Sequence, residues 1–214
     1  MLRWMALPRW MTFAEHRLAL PGGEVRVLQP SEAAELPDDG PVEWAPLVPY
    51  WSVLWRSGVA LGRELSAGPR LDGQHVVELG CGLGVPSLVA ARAGASVLAT
   101  DGDEEALEMV ERNARENGLE RVETALVGWG TADHLAARAP FDLVLAADVL
   151  YEDSSVALLL ELLPRLGRDV LVADPGRPAA SEFLEQAGDH WSVETTVRDH
   201  VQIHRLRRGA AGGD

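Results

Sequence analysis

The chain has 214 residues, an apolar content of 47% and a formal net charge of −14. This length is enough for one domain with a substantial core, and the acidic balance argues against general binding to DNA or RNA, which needs a basic surface. The 19 residues counted as lysine or arginine are all arginine. A Schiff-base lysine and a phosphate-binding loop that depends on lysine are therefore excluded.

Signals for export and for metal binding are weak along the chain. The N-terminal stretch MLRWMALPRWM contains Arg3 and Arg9 without a continuous apolar segment between them, so we predict no signal peptide, and Met11 is an alternative start. The single cysteine, Cys81, excludes an intrachain disulfide, and the histidines do not cluster with the spacing of zinc ligands. No apolar run reaches the ~18 residues of a membrane span. We predict a cytoplasmic monomer without a metal, membrane or nucleic-acid partner.

The first 70 residues are predicted to form an N-terminal extension. HRLALPGGEVRVLQP, residues 16–30, predicts two short strands around a Pro-Gly-Gly turn. A polar, proline-rich connector over residues 31–46 follows. PYWSVLWRSGVALGREL, residues 49–65, then predicts a helix that is preceded by an aromatic stretch.

From residue 75 onward, apolar strand patterns alternate with helical patterns. Strands are predicted at 75–80, 96–101, 122–127, 141–149 and 169–176, with helices at 85–94, 103–118, 154–167 and 179–188. Residues 191–199 and 201–208 have almost no connector between them, which predicts an antiparallel hairpin.

This alternation predicts an α/β fold, with a doubly wound, mostly parallel sheet of seven strands that ends in the antiparallel hairpin. Residues 71–208 would form this domain after the N-terminal extension of residues 1–70. Residues 209–214, GAAGGD, would form a disordered tail.

A glycine-rich loop, ELGCGLGVP at residues 78–86, lies between the first strand of this region and the next helix. Such a loop brings backbone close to a ligand at the carboxyl ends of the strands. Its glycines follow G-x-G-x-G, and Val85 stands where a dinucleotide-binding fingerprint requires its third glycine. Asp101, 21 residues after Gly80, ends the next strand at the distance of a ribose-binding carboxylate.

These features together resemble the class I S-adenosylmethionine-dependent methyltransferases. The resemblance rests on VVELGCGLGVPSLVAARAGASVLATDGDEEALEMVERNARENGL and on FDLVLAADVLYE. It implies S-adenosyl-L-methionine as cofactor and S-adenosyl-L-homocysteine as product, and it agrees with the charge of Glu78, which would repel a pyrophosphate but tolerate a sulfonium. The residues implied to bind the cofactor are Trp55, Glu78, Gly80, Cys81, Gly82, Gly84, Asp101, Gly102, Trp129 and Ala147.

Within that superfamily, PYWSVLWRSGVALGREL, DVLYE and ADPGRP resemble the seven-strand protein-lysine methyltransferases. The similar branch modifies the β-subunit of electron-transfer flavoprotein and has bacterial relatives labelled nicotinamide-N-methylase-like; the resemblance covers about residues 42–180. It implies a protein substrate with an accessible lysine, with Asp148 and Tyr151 as catalytic residues that orient the amine. The sequence departs from the family pattern at W-R-S-G, residues 55–58, where W-P-x-G is commoner.

Several alternatives remain open at this stage. The substrate could be a small amine or pyridine, or the chain could bind the cofactor without catalysis as an interaction module. Asp148 could be a helix cap or make a structural hydrogen bond, and Cys81 could simply fill a small position. Trp51 fits the core or a lid, and Trp129 fits a stacking partner for adenine. The turn at residues 174–177 could bound the substrate pocket or only reverse the chain.

Overall fold

The computed structural model describes residues 11–33 and 49–209. The N-terminal ten residues, most of the predicted connector and the last five residues of the predicted tail lie outside the described residues. Within the described parts, no helix is long and apolar enough to cross a membrane.

The core of the protein is a seven-stranded sheet in the order β5-β4-β3-β6-β7-β9-β8. Its strands are β3 (His75–Leu79), β4 (Ser96–Asp101), β5 (Val122–Leu126), β6 (Leu143–Ala147), β7 (Asp169–Asp174), β8 (Ser192–Arg198) and β9 (Val201–Arg207). The first five are parallel, and β9 pairs antiparallel with both β7 and β8. The predicted fold class and its C-terminal hairpin are therefore confirmed.

Helices cover both faces of this sheet. They are α1 (Arg56–Ala67), α2 (Val85–Arg92), α3 (Glu104–Glu116), α4 (Asp133–Ala136), α5 (Asp153–Leu166) and α6 (Pro178–Ala187). One core cluster contains Leu61, Leu88 and Met109 from α1 to α3, and a second contains Leu159 and Phe183 from α5 and α6. Central strands such as β3, β6 and β7 are buried on both faces, as their continuous apolar runs predict.

The chain winds from β3 outward to β5 and then returns to place β6 on the other side of β3. The carboxyl ends of β3, β4 and β6 therefore meet at the point where the winding direction reverses. In open parallel sheets this position holds the ligand.

The N-terminal hairpin consists of β1 (Phe13–Leu20) and β2 (Gly23–Pro30), paired in a separate two-stranded sheet. It is held to α3 by two asparagines: the backbone N–H of Leu28 donates to Asn113 Oδ1 at 2.7 Å, and that of Arg26 donates to Asn117 Oδ1 at 2.9 Å. Asn113 also donates to the carbonyl of Leu83 in the glycine loop at 3.0 Å. The hairpin thus shares the core with the sheet domain and supports the loop of the candidate site.

The bounds of one strand and the presence of two short elements differ from the sequence prediction. The predicted strand 141–149 is shortened to β6, because Asp148 adopts a left-handed backbone with φ of 59° and ends the extended conformation. The short helix α4 and a 3₁₀ turn at Trp129–Thr131 were not predicted, since four residues or fewer carry no helical periodicity.

Candidate active site

A cleft of about 510 Å³ opens at the carboxyl ends of β3, β4 and β6. This volume lies within the range of roughly 300–1,000 Å³ that is typical of small-molecule sites. All twelve residues selected from the sequence line it: Trp55, Glu78, Gly80, Cys81, Gly82, Gly84, Asp101, Gly102, Trp129, Ala147, Asp148 and Tyr151. The fold brings them together, while their individual roles stay predictions.

The glycine loop turns because three of its residues adopt left-handed backbone conformations, with φ of 64° at Gly80, 50° at Gly82 and 79° at Gly84. Packing also requires small residues there. A Cβ on Gly84 would lie 2.8 Å from the Val110 side chain of α3, and one on Gly82 would lie 3.2 Å from the Trp51 carbonyl. The glycines therefore serve the close packing of helix and loop as well as the approach of a ligand.

Asp101, the last residue of β4, holds the glycine loop through backbone donors. Its Oδ2 accepts from Gly82 N at 2.9 Å, and its Oδ1 accepts from Asp103 N at 3.1 Å. Burial raises the pKa of Asp101, against the lowering effect of these hydrogen bonds. The carboxylate is partly buried, lines the cleft and can accept further hydrogen bonds from a ligand hydroxyl.

Glu78 lies deeper in the same cleft, near the end of β3, with 1% of its surface exposed. Its Oε2 accepts hydrogen bonds from both the backbone N–H and the hydroxyl of Ser87, in the first turn of α2. Burial nevertheless raises the pKa of Glu78 to about 8, and the nearby charge of Asp101 adds to the effect. A cation in the cleft would favour the ionised form of this carboxyl.

The side chains lining the cleft have a strongly one-sided charge. Four are acidic, at Glu78, Asp101, Asp103 and Asp148, and within the described parts of the chain none of the lining residues is basic. Neither Glu78 nor Asp101 forms an ion pair with a residue in 11–33 or 49–209. The arrangement suits a positively charged ligand and disfavours phosphates.

Asp148, just after β6, has a different environment. Its Oδ1 lies 2.6 Å from Arg177 Nη1, and the same nitrogen lies 2.9 Å from Asp174 Oδ2. Burial raises the pKa of Asp148, and the positive charge of Arg177 opposes this rise. The backbone N–H of Asp148 donates to the Ala173 carbonyl at 2.9 Å, which fixes the residue beside the end of β7.

The DPGRP turn reverses the chain and contacts Asp148 through Arg177, but its residues do not line the described cleft. The Oδ1 of Asp174 accepts from the backbone N–H groups of Gly176 and Arg177, each at 2.7 Å. The sequence did not predict that Arg177 contacts Asp148. Arg177 was noted only as part of the turn, and nothing in the sequence indicates a contact with a residue 29 positions earlier.

Aromatic residues surround the mouth of the cleft. The rings of Tyr50 and Tyr151 lie 5.9 Å apart, and about half of each side chain is exposed. Trp55 also lines the cleft and donates from Nε1 to the Tyr50 carbonyl at 2.9 Å. Trp51 is 7% exposed and belongs to the core cluster, in agreement with the core interpretation, although it also lines the cleft. Trp129 lines the cleft near Gly80.

Cys81 is buried in the glycine loop, and burial raises the pKa of its thiol well above the usual value. A thiol in this state is a poor nucleophile at neutral pH. This environment favours the interpretation of Cys81 as a small residue that fills the loop, whose backbone N–H donates to the Thr100 carbonyl at 2.9 Å.

Comparison with solved structures agrees with this fold. The structure of magnesium protoporphyrin IX methyltransferase from Synechocystis, solved with bound SAM, superimposes with a TM-score of 0.58 at 20% identity, covering 72% of this chain and 79% of that one. At this level of identity the similarity concerns the fold alone.

Sequence comparison is more specific. The electron transfer flavoprotein beta subunit lysine methyltransferase of Xenopus laevis is 35% identical over 137 residues, which are 60% of this chain and 53% of the frog protein. The chain thus spans about half the length of that relative. The protein N-lysine methyltransferase METTL21A of Danio rerio is 37% identical over 166 residues, which are 73% of this chain and 76% of the fish protein.

A profile of one family, described as lysine methyltransferase, matches residues 51–187. The match begins at the aromatic stretch before α1, includes the glycine loop, Asp101 and the Asp148–Tyr151 motif, and ends with α6. Together with the fish relative, it shows that this chain belongs to the lysine methyltransferase family.

Proposed function

We propose that the chain is an S-adenosylmethionine-dependent N-methyltransferase that acts on lysine side chains of another protein. The observation that carries this proposal is the acidic character of the cleft, where four acidic side chains and no basic side chain line the described wall. Both a sulfonium and an ammonium are cations, so such a cleft favours the two reactants over a nucleotide phosphate. Family membership supports the same activity.

The residues on the β3 and β4 side fit this cofactor. Asp101 would accept hydrogen bonds from the ribose hydroxyls, as carboxylates at this position do in nucleotide-binding sheets. The glycine loop gives close access to backbone, and Trp129 offers a ring face for adenine. Trp55 and Glu78 would lie toward the methionine end. When bound, S-adenosylmethionine supplies an activated methyl group on a positively charged sulfur.

The residues on the β6 side would receive the amine. Asp148 is fixed at the floor of the cleft and can accept a hydrogen bond from an incoming amine. Tyr50 and Tyr151 form an aromatic wall at the mouth, and aromatic faces attract ammonium groups. The main task of this half is alignment, since an in-line transfer requires the nucleophile, the methyl carbon and the leaving sulfur in one line.

A protein substrate is preferred to a small amine because the tyrosine pair at the mouth is open to solvent. A lysine side chain could then enter while its backbone remains outside.

Transfer of an isotope-labelled methyl group tests the activity directly. We would incubate the protein and labelled S-adenosylmethionine with a lysate of the organism that encodes it, then identify labelled peptides by mass spectrometry. The chain contains no lysine, so methyl-lysine cannot come from the protein itself. Methyl-lysine in one or a few proteins would support the proposal. Label confined to small molecules, label on other residue types, or no label would contradict it.

Cofactor choice has a separate test. S-adenosylhomocysteine should raise the melting temperature, since a ligand at 100 times its Kd adds ~2.7 kcal/mol to the free energy of unfolding. NAD should have no effect at the same concentration, because its pyrophosphate would lie among acidic side chains with no basic side chain lining the described cleft to bind it. The opposite result would contradict the proposed cofactor.

A further inference from the structure

The position of Arg177 is unusual for a buried cation. It is the N-cap residue of α6, where the partial positive charge of a helix N-terminus disfavours a cation. Its side chain is 18% exposed, although arginine is among the residues that are rarely buried without a partner. The carboxylates of Asp148 and Asp174 explain why it lies there.

The contacts among Asp174, Arg177 and Asp148 lead from the buried turn to the cleft. Asp174 is fully buried and is fixed first, because its Oδ1 accepts the two backbone N–H groups of its own turn. Its Oδ2 then fixes Arg177 Nη1, and that nitrogen in turn contacts Asp148. Asp148 is the member of this network that lines the cleft. The position of the Asp148 carboxylate is therefore set by Arg177, a residue on another loop that does not line the described cleft.

We propose that Arg177 is a positioning residue that keeps the Asp148 carboxylate ionised and correctly oriented for the substrate amine. This inference rests on the proposed function for its consequences in catalysis. Arg177 itself does not line the cleft along the described residues, so it acts through Asp148.

The charges around Asp148 support this role. Arg177 from the start of α6, Asp174 from β7 and the Ser57 hydroxyl from α1 face it. His204 on β9 faces Asp174, and burial lowers the pKa of that histidine, so it supplies little positive charge at neutral pH. Without Arg177, burial and the charge of Asp174 would both raise the pKa of Asp148, and the protonated carboxyl would no longer accept from the amine.

Three substitutions separate charge from shape. Arg177→Met keeps much of the aliphatic side chain and removes the charge, and Arg177→Gln keeps an N–H donor without the charge. Arg177→Lys keeps the charge, and because a single nitrogen makes both contacts, an ammonium can take its place. The matched control is Arg205→Met, which removes an ion pair to Asp169 at the opposite end of β7.

Methyl-transfer rates as a function of pH are the first readout. We expect Arg177→Met to lower kcat by about tenfold or more at pH 7, since each pKa unit by which Asp148 rises above the working pH removes about tenfold of its ionised form. The KM for the cofactor should change little. The ratio of variant to wild-type rate should recover as the pH rises, and Arg177→Lys should restore most of the rate. Arg205→Met should leave the rate unchanged.

A second readout does not depend on activity. Carbon-13 NMR titration of the aspartate carboxyls, with the Asp148 resonance assigned by Asp148→Asn, should give a higher pKa for Asp148 in Arg177→Met than in the wild type. If that variant does not fold, Arg177→Gln takes its place in both measurements. The NMR result stands even if the wild type transfers no methyl group, an outcome that would contradict the proposed function alone.

Two outcomes would overturn the inference while wild-type activity is intact. One is a rate ratio that does not change with pH, together with an unchanged Asp148 pKa, which would indicate a purely structural ion pair. The other is an Arg177→Lys variant as impaired as Arg177→Met, which would show that positive charge is not what Asp148 requires.

Discussion

The two sides of the cleft treat their carboxylates differently. On the β3 and β4 side, Glu78 and Asp101 receive hydrogen bonds from Ser87 and from loop N–H groups, and no ion pair with a described residue. On the β6 and β7 side, Asp148 and Asp174 share the guanidinium of Arg177. Glu78 and Asp101 thus have no positively charged partner among the described residues, and we call their side uncompensated. Asp148 and Asp174 share the positive charge of Arg177, and we call their side compensated.

This difference indicates which side depends on a ligand for its balance of charge. Buried carboxylates without a cation have raised pKa values and are costly to ionise. A cationic ligand that binds beside Glu78 and Asp101 would offset this cost, so the uncompensated side is suited to hold the charged cofactor. On the compensated side, Arg177 opposes the rise in the pKa of Asp148 whether or not a cofactor is bound, which favours the carboxylate form that the proposed substrate amine would need.

The largest expected effect is on catalysis, through Asp148→Asn. Losing one positioned acid–base group usually costs ~10²–10⁴ in rate. The cofactor side should remain intact, so the affinity for S-adenosylhomocysteine should change by less than about tenfold, or ~1.4 kcal/mol. Single-turnover rates and calorimetry on the same preparation measure both quantities.

The exposed Asp189→Asn variant is the control for this prediction, because it makes the same change in charge away from the cleft. A structural role for Asp148 predicts a lower melting temperature, with activity reduced only in proportion to the folded fraction. Normal turnover in a stable Asp148→Asn variant would remove this residue from the chemistry and shift the role to Tyr151.

The second prediction concerns the pH dependence of stability on the uncompensated side. Burial raises the pKa of Glu78 from 4.5 to about 8, so the folded state holds its proton more tightly than the unfolded state. The free energy of unfolding should therefore fall as the pH rises between these two values. The fall is about 1.4 kcal/mol for each unit by which the folded and unfolded pKa values differ.

Glu78→Gln should abolish this component, and denaturant unfolding at a series of pH values measures it. The exposed Glu120→Gln variant makes the same change in charge and should keep the wild-type dependence. If Glu78→Gln unfolds with the same pH dependence as the wild type, the carboxyl is already ionised in the folded protein, and the contrast between the two sides is smaller than we infer.

The third prediction concerns ligand affinity. Asp101→Ala should lose a charge-assisted hydrogen bond to a ribose hydroxyl, worth ~1.5–3 kcal/mol. This corresponds to a loss of about tenfold to hundredfold in the affinity for S-adenosylhomocysteine. Asp142→Ala is a matched control, because Asp142 accepts from the His75 backbone N–H at 2.8 Å at the opposite end of β3. Unchanged affinity in a folded Asp101 variant would exclude this residue from the site.

Much of the fold could be predicted because its signals are local. The central strands are short apolar runs that are buried on both faces, and β4 matches its predicted bounds of 96–101. The predicted helix 103–118 corresponds to α3, which is capped by Asp103 through a hydrogen bond from Glu105 N at 2.8 Å. The glycine loop and Asp101 were predictable as a site because the fold class fixes which strand ends meet.

The contacts of Asp148 could not be predicted in the same way. Its pairing with Arg177 depends on the positions of two loops at the ends of neighbouring strands, and an arginine after a Pro-Gly turn carries no distinctive pattern. The link from Asn113 to both the hairpin and Leu83 is similar, since a polar residue inside a helix does not indicate its distant partners. Sequence predicts which elements form, while these side-chain networks depend on their arrangement in three dimensions.

The smallest expected effect tests whether the uncompensated side holds the cofactor at Gly102. A Cβ added at this residue would meet no atom within 4 Å, and Gly102 lines the cleft beside Asp101. The free energy of unfolding of Gly102→Ala should therefore stay within about 0.5 kcal/mol of the wild-type value, as at most surface positions. The added methyl group would occupy space that a bound ribose needs, so the affinity for S-adenosylhomocysteine should fall by up to about tenfold, or ~1.4 kcal/mol.

Gly130→Ala is the control, because its Cβ also meets nothing within 4 Å and Gly130 does not line the cleft. Equal affinities in the two variants would show that the ligand keeps its distance from Gly102, and would confine the cofactor contacts of this edge to Asp101 and the glycine loop.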